Sequence, residues 1–277
     1  MFDMDENRWK NPNSFFLALR CMEKQYADTF ISHGRLKFNT PKVWEEWSKK
    51  GRGDIYEGTL AFCNKRDLLH YEQLKNEYPE AYQYDVGNRV LLKDQRDMNL
   101  PCLCLGTVKQ KTFTIPTEPG IQKISAIIEG QYFKDFADNL TVEEVAKLPL
   151  ENQPALVAIR DFDEFFERLK RKLTSMGVRE SQILAQQIAY LDFSAYGGDD
   201  SYMNFKRELP KELFVKSDEF SYQSELRIII NTDAPKQLKM FENPIDIGNL
   251  SDIAIESVGY HPDGIIVEGK VGIEITD

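Results

Sequence analysis

The sequence predicts an α+β fold built on a central antiparallel or mixed sheet with helical insertions. Three observations carry that prediction. Apolar residues recur at three- and four-residue spacing early in the chain and again near its middle, the mark of amphipathic helices. Short β-branched stretches punctuated by turns cluster in the last third. No internal repeat and no linker rich in Gly, Ser or Pro divides them, so a single domain over 1–277 is the simplest organisation.

The first helix is expected from Asn13 to Ile31, where Phe15, Leu19, Met22, Tyr26 and Phe30 share a face. Asn13 or Ser14 can cap it and Gly34 can stop it. "RLKFNTP" then reads as a short strand with Leu36 and Phe38 on one face and Arg35 and Lys37 on the other, ended by Pro41. "PKVWEEWSKKGRGDIYEG" reads as a short helix running into a Gly-punctuated loop, and "TLAFCN" as a strand. Residues 65 to about 95 are polar, Tyr-rich and weakly periodic, which predicts a surface insertion. Residues 101–133 read as several strands joined by a turn at Pro116 to Gly120. "DFADNLTVEEVAK" is a helix whose Thr141 and Glu144 make a capping box. "PALVAIRD" is a strand, "DEFFERLKRKLTSMG" a helix, and Arg179 to Leu191 a further helix. The rest is strands: "LFVKS", "YQSELRIII", "IDIGNL", "IAIESVGY" and "GIIVEGKVGIEIT".

A net charge of -10 argues against general electrostatic attraction to nucleic acid or anionic membrane, although a local basic patch can act within an acidic protein. One such cluster is Arg168, Lys170, Arg171, Lys172 and Arg179, which follows an acidic stretch and reads as a solvated helix face. No apolar run approaches the roughly 18 residues of a membrane helix, and the polar N-terminus is unlike a signal peptide, so a cytoplasmic protein is expected. The four cysteines read as structural thiols in a reducing compartment, and the three scattered histidines suggest no metal site. A phosphate-binding G-x-x-x-x-G-K-[ST] loop and a G-x-S-x-G elbow are both missing.

Two stretches concentrate chemistry. In "EFSYQSELRIII" (219–230), alternation sends Leu226, Ile228 and Ile230 to a core face and Gln223, Glu225 and Arg227 to the other. A polar face at a strand entry can line a cleft as well as solvent. In "GRGDIYEG" (51–58), Arg52, Asp54, Tyr56 and Glu57 sit among three glycines that let backbone approach a ligand closely.

Entered through Phe220 and Tyr222, Gln223-Ser224-Glu225 resembles the last motif of the ADP-ribosyltransferase superfamily, in the branch that runs Arg, then Ser, then Glu/Gln-x-Glu. The resemblance implies that fold, NAD as co-substrate, and Glu225 as the catalytic carboxylate beside the nicotinamide ribose. It implies Gln223 on the acceptor side, with Tyr222 shaping the turn before it. Arg35, with Arg52 as competitor, would take the early arginine's place on the NAD phosphates, and Tyr56 would lie in the same cofactor region. Ser194, in Phe193-Ser194-Ala195-Tyr196, would stand for the middle motif, departing from its usual Ser-x-Ser/Thr pattern. "LKFNTP…W…GRGD…EG" is further similar to toxin-like bacterial phage-defence proteins. That likeness implies a glycosyltransferase toxin that modifies RNA, such as mRNA, or protein, with an antitoxin and a chaperone as partners and no membrane. Two other readings stand beside it: a non-enzymatic abortive-infection module binding a phage component through the 65–95 region, and a nuclease holding a metal with Asp54, Glu57 and Glu225.

Overall fold

The computed structural model describes residues 15–48, 53–109, 120–193, 202–204 and 210–273. Its first element is a strand, β1 (Phe15–Glu23), and the helix α1 (Lys24–His33) begins only after it. The expected helix over 13–31 is therefore corrected for its first half. β1 lies between two other strands with Leu17, Ala18 and Leu19 all buried, so both of its faces are apolar. A strand covered on both sides loses the alternation that distinguishes it from a helix. Gly34 does stop α1, in the left-handed conformation, and its N–H bonds to the Phe30 and Thr29 carbonyls.

β2 (Arg35–Leu36) is shorter than expected, and the segment continues to a single bridge from Asn39. Leu36 and Phe38 are buried as their alternation requires. After α2 (Pro41–Ser48) come β3 (Thr59–Asn64), α3 (Leu68–Glu77), β4 (Ala81–Val86) and β5 (Arg89–Asp94). The 65–95 segment is thus not only polar surface. Its β5 pairs with β3, and Leu74, Tyr78, Val90 and Leu92 pack with Leu60, Ala61 and Cys63 in a core of their own. Weak periodicity arose because β4 is half exposed while β5 is buried along most of its length.

β6 (Cys102–Lys109) and β7 (Gly120–Ile128) realise the strands expected over 101–133 as far as Ile128, residues 130–133 being corrected to the start of a helix, and most of the turn between the strands lies outside the described residues. α4 (Gly130–Phe136) and α5 (Val142–Val145) follow, the latter with the Thr141–Glu144 capping box in both directions. Next come β8 (Pro154–Ile159) and α6 (Phe162–Ser175). The basic residues of α6 are largely partnered: Arg168 with Glu164 and Asp252, Lys170 with Glu167, Arg171 with Glu164. This is the solvated, ion-paired face that the sequence suggested.

Residues 179–191 are corrected from helix to a short 3-10 turn followed by β9 (Ile183–Gln187) and β10 (Ala189–Leu191). "ILAQQ" has ordinary helix propensity, but an open sheet edge recruits it, and pairing overrides local preference. The remaining elements are β11 (Tyr202–Asn204), β12 (Val215–Ser217), β13 (Glu225–Ile230), α7 (Pro235–Met240), β14 (Ile245–Asp246), β15 (Ala254–Val258) and β16 (Ile265–Ile273).

The sheet at the centre is antiparallel and six-stranded, in the order β15-β8-β1-β6-β13-β9. A second sheet has the order β11-β3-β5-β4, β10 and β12 form a parallel pair, and β7 and β16 form a long ribbon. The α+β class and the central antiparallel sheet are as expected. One face of the six-stranded sheet packs Val157, Ile159, Leu103, Leu105, Ile228 and Ile230 against Phe30 of α1 and Phe165, Leu169 and Leu173 of α6. Its opposite face carries the polar residues of β13, and that is where the cavity lies.

Candidate functional site

β1 and β6 run in register only as far as Leu19 opposite Gly106. Beyond that point Cys102 exchanges backbone hydrogen bonds with Asn39, and the Arg20 guanidinium donates to the carbonyls of Cys104 and Lys37. The two strands therefore part in the middle of the sheet. A cavity of about 550 Å³ opens over this split, with Cys21, Cys104 and Gly106 on its floor. Its volume lies within the usual range for small-molecule sites. Gly106 keeps the floor low, since a Cβ there would come within 3.1 Å of the Tyr132 hydroxyl. Tyr132, Asp135 and Phe136 of α4 form one wall; Phe220 and Gln223 stand in another.

β13 enters the cavity through a strained residue. Ser224 is left-handed (φ 43°) at the end of a 3-10 turn over 218–223, and it swings the chain into the strand. Gln223 and Glu225 consequently reach the same cavity from either side of it. Thr107 holds the turn, donating from its N–H (2.9 Å) to the Ser224 carbonyl.

Four charges meet here. Glu225, 5% exposed, accepts from Arg227 Nε at 2.9 Å and from Lys216 Nζ at 2.7 Å. Arg227 is fully buried; it also donates to the Leu213 carbonyl and pairs with Glu57, and its guanidinium lies 4.7 Å from the Trp44 ring centre. Lys216 makes a further bond, at 2.9 Å, to Gln223 Oε1. Burial alone would push the Glu225 carboxyl up, but Arg227 and then Lys216 outweigh it and hold the group well below the usual carboxylate range. Burial likewise opposes the charge on Lys216, and Glu225 reverses this, raising its pKa. The turn that carries Glu57 is pinned to β12 by Asp54, whose carboxylate accepts from the N–H groups of Ser217 (2.6 Å) and Tyr56 (2.8 Å). Burial raises the Asp54 pKa.

Of the residues singled out in the sequence, Glu57, Phe220, Gln223, Glu225 and Arg227 line the cavity. Tyr222 stands at its edge, its hydroxyl bonded to the Asp135 carboxylate across the gap to α4. Tyr56 is turned away: it stacks on Phe193 at 4.4 Å and accepts from Arg89, as part of the packing of the second sheet. Arg35 is not among the lining residues. The alternation that buries Leu36 and Phe38 turns it outward, where it makes a two-pronged pair with Asp246. Arg52 and Ser194 lie outside the described residues. Arg35→Ala is accordingly expected to leave thermal unfolding unchanged, because exposed pairs contribute little. A drop in melting temperature of several degrees in that variant would show that the Arg35–Asp246 pair holds β2 to β14.

Lys216 and the Glu57 partnership of Arg227 were not assigned to a joint site from the sequence. A lysine flanked by Phe214, Val215 and Ser217 in a short strand was the available signal, since lysine is seldom buried unless paired. Among the described residues no group of three His, Cys, Asp or Glu is arranged to hold a metal ion. No helix of the described residues is long and apolar enough to cross a membrane. No protein-family model, curated protein or solved structure matches the chain.

Proposed function

We propose that the cavity binds NAD and that the protein transfers ADP-ribose from it to an acceptor, either RNA or protein. The observation that supports this most is the Glu225 carboxylate: buried, hydrogen-bonded to two cations, and lining a cavity of about 550 Å³ beside Gln223. In such a transfer the bond between the nicotinamide nitrogen and the ribose breaks, and nicotinamide leaves with the bonding pair. The sugar passes through an oxocarbenium-like state, and the acceptor atom then bonds to the same carbon and loses its proton. A fixed carboxylate next to that carbon stabilises the developing positive charge, and it is preorganised because Arg227 and Lys216 already hold it. A carboxylate has about four lone-pair directions; Arg227 and Lys216 take three of them and the Cys104 thiol faces Glu225 as well, so a ribose hydroxyl would bind in the place of that weak thiol donor.

Support for the nuclease reading is weaker. Asp54 spends its two oxygens on backbone N–H groups, and Glu57 is paired with Arg227. The binding-module reading has less aromatic surface to draw on, since Tyr78 is buried and Tyr71 of α3 and Tyr82 and Tyr84 of β4 are half-buried.

Labelled NAD incubated with the protein and with RNA or protein fractions of a lysate tests the proposal. Nicotinamide release and label transfer are expected, and Glu225→Gln should lower both by about a hundredfold. Absence of NAD turnover by folded wild-type protein with every fraction would sink the reading.

A further inference from the structure

We propose that Lys216 is the positioning residue of this site, a buried ammonium that keeps Glu225 ionised and fixes which end of the Gln223 amide faces the ligand. The inference rests on the reading that Gln223 and Glu225 act on the ligand, and it assigns a role to a residue on the preceding strand, seven and nine positions before them.

Charge balance provides the first argument. Glu57, Glu225 and Arg227 by themselves carry one uncompensated negative charge in a buried place, and Lys216 cancels it; the neighbouring buried Asp54 and Lys93 offset one another and leave that balance unchanged. The other groups facing Glu225 cannot do so. Cys104 of β6, Tyr132 of α4 and Tyr190 of β10 are neutral, each with its pKa raised mainly by burial. Tyr190 is engaged through its hydroxyl, which accepts from the Glu225 N–H at 2.9 Å. Remove the ammonium, and protonation of the carboxyl is the least costly way to restore neutrality.

Geometry provides the second. One Nζ spans 2.7 Å to Glu225 Oε2 and 2.9 Å to Gln223 Oε1, bridging side chains on either side of the left-handed Ser224. Because an ammonium can only donate, Gln223 must turn its oxygen to Lys216. Its Nε2 is then on the other side, 3.5 Å from the Tyr222 hydroxyl. β12 can hold Lys216 there because it is itself held, by the parallel pairing with β10 and by Asp54 on the Ser217 N–H. An isolated glutamine on a short 3-10 turn would have no reason to keep one amide orientation.

The test is a carbon-13 NMR titration of the glutamate side-chain carboxyls in wild type, Lys216→Met, Lys216→Gln and Lys216→Arg, with Glu225→Gln supplying the assignment. The Glu225 midpoint is expected to rise by about 1–3 pH units in the Met and Gln variants, and to stay low in the Arg variant. The acid limb of NAD turnover should move with it, with Lys216→Arg recovering most of the rate at neutral pH. Should Lys216→Met not fold, Lys216→Gln, which is polar and can still hydrogen-bond, decides the matter. An unmoved Glu225 midpoint in the neutral variants, or an equal rise in Lys216→Arg, would overturn the proposal. The titration needs no NAD, so it separates failure of this inference from failure of the transferase reading, which wild-type turnover alone decides.

Discussion

Arg227→Met is expected to destabilise the protein by about 3–5 kcal/mol at neutral pH, the usual cost of breaking a buried ion pair from one side. The magnitude does not come from the strength of the pair. Arg227 is fully buried between Glu57 and Glu225, and methionine fills much of its volume while leaving both carboxylates desolvated. Lys216 remains, so the cluster then holds two carboxylates against one ammonium.

The pH dependence of this variant distinguishes charge from packing. In the wild type Glu225 titrates below its unfolded range near 4.3, so its contribution is present above that pH and is lost as pH falls through the depressed value. In Arg227→Met the buried cluster binds a proton more tightly than the unfolded chain does. The contribution changes sign: it is present at low pH and lost as pH rises. Urea unfolding at pH 8 and pH 5 should therefore show the deficit relative to wild type shrinking by at least about 1 kcal/mol at the lower pH. Adding Glu57→Gln and Glu225→Gln to the variant should recover part of the loss at pH 8. Equal deficits at both pH values would mean that the cost is one of volume, and that the four charges are not a unit.

How much of this could be read in the chain depends on whether the information was local. The orientation of Glu225 was legible, because a strand of period two sorts its own residues without reference to the rest of the fold. Ile228 and Ile230 in the core, Leu226 buried with them, and Arg227 beside Glu225 follow from the same alternation. Lys216 was not legible, because nothing in "LFVKS" says which cavity the lysine enters; the pairing of β12 with β10 decides it. β1 was misread for a related reason. Its Phe15, Leu19 and Met22 match a helical spacing by coincidence, and only the strands on both sides explain why the intervening residues are apolar too. Arg35 was attractive because it opens a short strand early in the chain, but the alternation that buries Leu36 faces it towards Asp246. Where β1 and β6 part beside the cavity, Arg20 and Asn39 take up the backbone groups of Cys104 and Cys102, a tertiary arrangement that leaves no pattern in either strand.

Gly130→Ala is expected to cost about 3 kcal/mol, at the upper end for overpacking, and to lower the melting temperature by on the order of 10 °C. Gly130 begins α4 directly beneath the turn that leads into β16. A Cβ there would overlap the Pro262 carbonyl oxygen and lie 2.5 Å from its carbon and 2.9 Å from Gly264 N, all of them backbone atoms that no side-chain rotation can relieve. Gly264 in turn sits against the Ile128 carbonyl with φ +87°, so the two segments interlock by backbone contact. What moves is the cavity wall. Phe133 of α4, fully buried in a cluster with Leu17, Leu19 and Val108, shares its helix with Tyr132, Asp135 and Phe136, which line the cavity. On the proposed reading, NAD affinity should therefore fall in Gly130→Ala even at temperatures where the variant is folded. Gly87→Ala is the reference: it also places a Cβ on a glycine, at φ +55°, but with nothing within 4 Å, and is expected to cost about 1 kcal/mol with NAD affinity unchanged. If the two substitutions were equally costly by urea unfolding, the backbone interlock would not be what seats α4 against the sheet.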